Sequence, residues 1–338
     1  MGCKNCIITE LQYDIKLEGD KNEAMKEAIK SHFTRRNLTI IFNQNTFRIS
    51  ESGMSEFLDF CLDEMEADNV YFKVEDGKWQ PITEARTVVA LDWIDEVIRN
   101  KQVICYSQPI VDAQQRIFGY EVLARFRNAD GTMLYPNEVF HAAKLRGRLY
   151  ALDRLCRLTA VRYAAVLQKR TFINFIPTSI YAPKFCLQST VTLAKQLNID
   201  PKQFVFEVVE SEYVEDIEHL KNILKYYHEK GFAYALDDVG EGFSTIDLLV
   251  ELKPNYMKLD KKYVQGVSND IVKQRVAIKF FLKACEIGAV PLAEGIEEYA
   301  DFLWLKKIGY ELFQGYYFAK PTEEPTRFID VVEKPLFL

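Results

Sequence analysis

The chain has 338 residues, 48% hydrophobic and 27% charged, and a net charge of −6. That length allows two domains, or one barrel with an accessory module, around a sizeable core. The acidic balance argues against a surface that coats DNA or RNA, no apolar run approaches the roughly 20 residues of a membrane span, and seven scattered cysteines fit reduced thiols in a cytoplasmic protein.

The N-terminus lacks the charged-then-apolar layout of a signal peptide. Cys3 and Cys6 form a CxxC pair, which is half of a zinc site that Cys61 or His32 would have to complete, or simply two thiols on a frayed end. MGCKNC is a poor match to a myristoylation signal. Leu11, Tyr13, Ile15 and Leu17 alternate with polar residues as a half-buried strand does. A helix is predicted over 21–32, then strands TIIF and TFRIS around an Asn43-Gln44-Asn45 hairpin signal. Residues 54–66 place Met54, Phe57, Leu58, Cys61, Leu62 and Met65 on one helical face, and VYFKV at 70–74 closes the segment. The order βαββαβ predicts a small ferredoxin-like α+β domain over residues 1–85, with a linker helix over 86–100 and a larger domain over 101–338.

Eight apolar strand candidates follow, at 103–112, 116–126, 171–176, 204–210, 232–239, 256–260, 290–296 and 312–318. The first two read as a hairpin, and helical segments such as 215–230 and 268–287 separate most of the rest. Such alternation predicts a mostly parallel sheet: a closed (β/α)8 barrel, or an open doubly wound sheet as the alternative. In a barrel the active site lies at the C-terminal strand ends. Those ends carry Glu121, Asn174, Glu207 and Glu210, Asp237 and Asp238, Lys258 and Asp260, Glu294, and Gln314.

These are hard oxygen donors with one ammonium, suited to Mg²⁺ or Mn²⁺. The histidines at 32, 141, 219 and 228 fall outside the strand ends, which argues against an imidazole-built metal site. No strand end pairs a Ser or Cys with a His, so acyl transfer through a covalent nucleophile is not expected. Metal-assisted attack of water on a phosphodiester is the chemistry this set suggests. Asp237 and Asp238 are neighbours, so both face the site only where the strand turns; they would then serve two ions, one each or bridging. The GEG of 240–242 is no dinucleotide fingerprint, for want of a third spaced glycine.

The segment GYEVLAR, followed in order by INFIP, FEVVES, ALDDVGEGFS, YMKLD, AEGIE and FQGYYFAKP, resembles the EAL-domain family of cyclic-di-GMP phosphodiesterases. Val122 stands where that family's signature has Ala. The resemblance implies a TIM-like barrel with its first strand antiparallel, and Mg²⁺- or Mn²⁺-dependent hydrolysis of cyclic di-GMP to linear pGpG. By motif, it implies Glu121, Asn174, Glu207 and Asp237 as ligands of a first ion and Asp238 as a ligand of a second. It further implies Lys258 as the holder of the attacking water, Glu294 as base or ligand, Gln314 as a site residue, and Arg125 as the grip on a substrate phosphate. Glu210 matches a glutamate that anchors the following loop, and a homodimer is implied beside that loop. The loop departs from the family pattern: Val239, Glu241 and Phe243 stand where an aromatic, a small hydroxyl residue and Tyr are usual.

An active phosphodiesterase is the expected function, with a catalytically silent cyclic-di-GMP receptor as the alternative and a ligand-free interaction module as a third. The N-terminal order also resembles flavin-binding BLUF photosensors, but TFRIS lacks the glutamine such a sensor needs, so no flavin is expected.

Overall fold

The computed structural model of the chain describes residues 8–75, 77–208, 216–240 and 245–329. Glu210, Glu241, Phe243, Cys3 and Cys6, named above, lie outside them. The chain divides into two compact units, Met1–Gln102 with Phe126–Leu152, and Val103–Arg125 with Asp153–Leu338.

In the first unit, strands β1 (Gln12–Leu17), β2 (Ile40–Asn43), β3 (Thr46–Ser50), β4 (Val70–Val74) and β5 (Gln80–Pro81) form one sheet in the order β2-β3-β1-β4-β5. Every pairing is antiparallel. The first four strands thus have the ferredoxin-like arrangement, and β5 adds an edge. Period-two alternation turns Tyr13, Ile15 and Leu17 inward with Phe47, Ile49 and Phe72. The helix Glu51–Glu64 lays Met54, Phe57, Leu58 and Cys61 on that face.

Leu62, expected on the same stripe, is 40% exposed. It lies about 80° round the helix from Met54, at the edge of the stripe. The expected linker helix is two helices, Ala85–Val89 and Trp93–Arg99. Between them Leu91 and Asp92 donate to the carbonyls three residues back, at Val88 and Val89, which tightens the turn and ends the first helix.

A buried ionic group closes this unit. Arg146 pairs with Glu51 at 2.5 Å and with Asp95 at 3.1 Å, and Arg148 pairs with Asp95 at 2.8 Å. Arg146, Arg148 and Asp95 are all buried.

The second unit contains the barrel. Its strands are β6 (Val103–Asp112), β7 (Ile117–Arg127, whose last two residues belong to the first unit), β9 (Arg170–Phe175), β10 (Phe204–Val208), β11 (Ala233–Val239), β12 (Tyr256–Leu259), β13 (Val290–Ala293) and β14 (Leu312–Gln314); the short β8 (Met133–Leu134), in the first unit, pairs antiparallel with those last two residues of β7. Parallel pairing runs from β7 and β9 through to β14. β14 pairs antiparallel with β6, and β6 pairs with β7 to close the ring. The barrel is therefore closed, with its first strand reversed, and the doubly wound alternative is excluded. Among the described residues no helix is long and apolar enough to cross a membrane.

Candidate metal and phosphodiester site

One buried layer inside the barrel is apolar: Ile110, Phe172, Val205, Ala235, Tyr256, Leu292 and Leu312. A strand side chain returns to the same face every second residue. Two positions further along the parallel strands stand Asn174, Glu207, Asp237, Lys258, Glu294 and Gln314. On β7 the corresponding step runs from Gly119 to Glu121. A Cβ at Gly119 would lie 2.6 Å from the Arg170 carbonyl oxygen, so glycine lets β7 and β9 approach. On the reversed β6 the step runs backwards, from Ile110 to Gln108, a residue the sequence reading missed. Scanning that strand in the opposite direction would have found it.

Lys258 is the hub. Its Nζ lies 2.7 Å from Asp237, 2.9 Å from Glu207, 3.3 Å from Glu294 and 3.9 Å from Glu121. Amides hold the rim: Asn174 donates to Glu121 Oε1 at 3.0 Å, and Gln314 donates to Glu121 Oε2 at 2.6 Å and to Gln108 Oε1 at 3.0 Å. Gln108 in turn donates to the Ala319 carbonyl at 3.1 Å.

The two adjacent aspartates share the site because the strand is broken there. Register between β11 and β12 shifts between Leu236 and Val239, and Asp238 has φ +48°. A left-handed residue inside a bulge turns its side chain to the face its neighbour already uses. Asp237, Asp238 and Glu294 each bring one oxygen within 4.8 Å of the others. Gly240, with φ +112°, continues the turn where a Cβ would strike the Tyr263 ring at 2.7 Å.

Electrostatics follow from five carboxylates around one ammonium. Burial pushes Glu207 and Glu294 well above the usual carboxylate range, with the charge of Lys258 pulling against it. Burial also raises Asp237, and together with the Asp237 charge it lifts Asp238 to about 6. Glu121 goes the other way: burial works upward, but Lys258, Gln314 and Asn174 hold it below its ordinary value. Burial pulls Lys258 down, yet the surrounding carboxylates hold it well above the normal lysine range. Glu207 Oε2 is buried and accepts no hydrogen bond from the described residues. Surplus negative charge, an unused buried oxygen and an all-oxygen donor set fit divalent cations.

Asp260, also at a strand end, caps the helix Lys261–Val264 by accepting from the Lys262 amide, and its side chain also hydrogen-bonds Asp238 in the cluster. Among the described residues Arg125 forms no ion pair with these carboxylates. Its guanidinium lies over the Tyr106 ring, 5.4 Å from the centroid, and donates to the Ala124 carbonyl.

Comparison with known proteins agrees with this geometry. Residues 91–321 match the EAL domain. The chain is 28% identical over 324 residues to the probable cyclic di-GMP phosphodiesterase PdeG of Escherichia coli K12, covering 90% of this chain and 59% of that protein. It spans 31% and 36% of the length of two further curated relatives. A standalone EAL protein from Vibrio cholerae O395, solved with c-di-GMP bound, is 36% identical with a TM-score of 0.59, over 65% of this chain and 93% of that one. Klebsiella pneumoniae BlrP1, solved as a calcium and cyclic-di-GMP complex, is alike in fold over 92% of this chain and 95% of its own, with a TM-score of 0.59 at 20% identity. With a closed barrel whose first strand is reversed and a family match across most of its length, the chain belongs to the EAL domain family.

Proposed function

We propose that this chain hydrolyses cyclic di-GMP to linear pGpG with two divalent ions, Mg²⁺ or Mn²⁺. The observation that carries the reading is Lys258 held within 3.3 Å of Asp237, Glu207 and Glu294 at the strand ends of an EAL barrel. Glu121, Asn174, Glu207 and Asp237 would hold one ion, and Asp238 with Asp237 and Glu294 the other. Such ions lower the pKa of water and stabilise charge on phosphoryl oxygens.

The chain's own groups do the rest. Lys258 Nζ, fixed by its carboxylates, donates to the attacking water and orients it. Glu294, beside Lys258 at 3.3 Å, would take the water's proton in its ionised form. The water oxygen forms a bond to phosphorus, the P–O3′ bond breaks, and the 3′ oxygen leaves as a hydroxyl on taking the water's proton back from Glu294. Arg125, stacked on Tyr106, presents a planar fork to a phosphate. Gln314 and Gln108 fix the orientation of Glu121. A homodimer in the cytoplasm belongs to the same reading and rests on the family resemblance.

The test is incubation of the purified chain with cyclic di-GMP and Mg²⁺ or Mn²⁺, with Glu121→Ala as control and chromatography of the products. Appearance of pGpG, lost in the control and in EDTA, supports the enzyme. Calorimetric binding with no product would replace it with the receptor reading.

A further inference from the structure

At the end of the barrel opposite the carboxylates lies a cleft of about 440 Å³, within the size range of small-molecule sites. It crosses the feet of β9, β11, β12 and β13. The wall carries Arg170, Lys202 and His228 from three separate elements, with Asn255, Phe232 and Tyr256 between them. None of the lining residues is acidic, although the chain as a whole is negative.

Two of the polar groups are held in place. Arg170 is stacked on Phe118, 4.8 Å from the ring centroid, and Phe118 is itself packed edge-on to Tyr256. Asn255 accepts from the Tyr234 amide through Oδ1, which fixes the amide plane and leaves its NH₂ group without a partner among the described residues. Arg170, Lys202 and His228 form no ion pair among those residues. A barrel's lower face ordinarily serves stability alone, and uncompensated cations around a largely apolar floor do not serve it.

We propose that this cleft binds a small phosphate monoester bearing a flat apolar ring, of the nucleoside 5′-monophosphate class. The guanidinium fork of Arg170, the Lys202 ammonium and the Asn255 amide take the phosphate oxygens. The ring lies on the apolar wall beside Phe232 and Val290. This site is separate from the phosphodiester site, because the apolar layer of Phe172, Tyr256 and Leu292 stands between them.

Calorimetry on the full metal-free chain tests it, with adenosine 5′-monophosphate as the probe and ribose 5-phosphate, adenosine and inorganic phosphate for comparison. The expected result is one site for the nucleotide, at least tenfold weaker binding of the three fragments, and at least tenfold loss in both Arg170→Glu and Lys202→Glu. Circular dichroism checks that both variants are folded, and Arg125→Ala should keep the binding. No binding, or binding that survives both cleft variants, overturns the proposal. So does binding lost in Arg125→Ala, which would assign it to the phosphodiester site, and so does equal binding of inorganic phosphate, which would remove the ring from the recognition.

Discussion

Gln314 on the last barrel strand donates to the side chain of Gln108 on the first, at 3.0 Å. The same amide reaches Glu121 on the second strand at 2.6 Å. The seam that closes the barrel is thus also a support for a candidate metal ligand. Gln108→Leu removes the acceptor that orients Gln314, and we expect activity or metal affinity to fall by about 10- to 100-fold, the usual cost of losing an outer-shell partner. Turnover measured across a Mg²⁺ titration reads this directly; unchanged turnover would remove Gln108 from the site.

Lys258→Met deletes the single ammonium among the buried carboxylates. Breaking one side of a buried ion pair costs about 3–5 kcal/mol, and here several partners are stranded at once. Urea unfolding of the metal-free variant should show a loss of that order, together with loss of turnover. A variant as stable as the parent would mean that the carboxylates are not ionised around the lysine.

The pH dependence has a defined sign. Asp238 rises from 3.8 to about 6 on folding, and Glu207, Glu294 and Asp237 shift the same way. A carboxyl group with a raised folded pKa contributes stability that is complete below its unfolded value and is lost as the pH climbs through the folded one. In EDTA the parent should therefore lose more in melting temperature between pH 4 and pH 7 than Asp238→Asn does. Mg²⁺ should restore more of it at pH 7 than at pH 5. Equal losses in parent and variant would contradict the assigned environment of Asp238.

Asp95→Ala leaves Arg146 and Arg148 without their shared buried partner. We expect about 3 kcal/mol or more of destabilisation in the first unit. Glu51→Gln should cost less, because the side chain of Glu51 is 19% exposed and its amide still accepts a hydrogen bond from Arg146. Denaturation followed by fluorescence ranks the two; the reverse order would falsify this account of the network.

Much of the barrel was legible because its strands are short apolar runs and its site residues are polar interruptions near their ends. The rule that finds Asn174, Glu207 and Lys258 looks toward the C-terminal end of a strand. It fails at Gln108 because β6 runs the other way, so the site residue comes before the apolar layer. At Asp260 it finds a carboxylate with two duties, capping a helix and hydrogen-bonding Asp238. The break after Val89 was not legible, since Ala85 to Arg99 contains neither Gly nor Pro and only the hydrogen-bond pattern ends the first helix. Nor was the membership of Phe126–Leu152 in the first unit. Arg146 and Arg148 pair there with Asp95, and no local pattern announces a partner about fifty residues away. The turn at Asp238 was anticipated from the chemistry of two adjacent acids, and the bulge supplies the backbone that it needs.

The layer of Phe172, Tyr256 and Leu292 gives the barrel a floor, with Tyr256 seated edge-on against Phe172 at 5.1 Å. Among the described residues that floor closes the barrel below the carboxylates. If cyclic di-GMP is hydrolysed above it, substrate and product would have to share the side where the carboxylates stand, and a spent dinucleotide would block the next substrate until it departs. Traffic through that mouth, as much as bond breaking, would then limit how fast the cup is refilled.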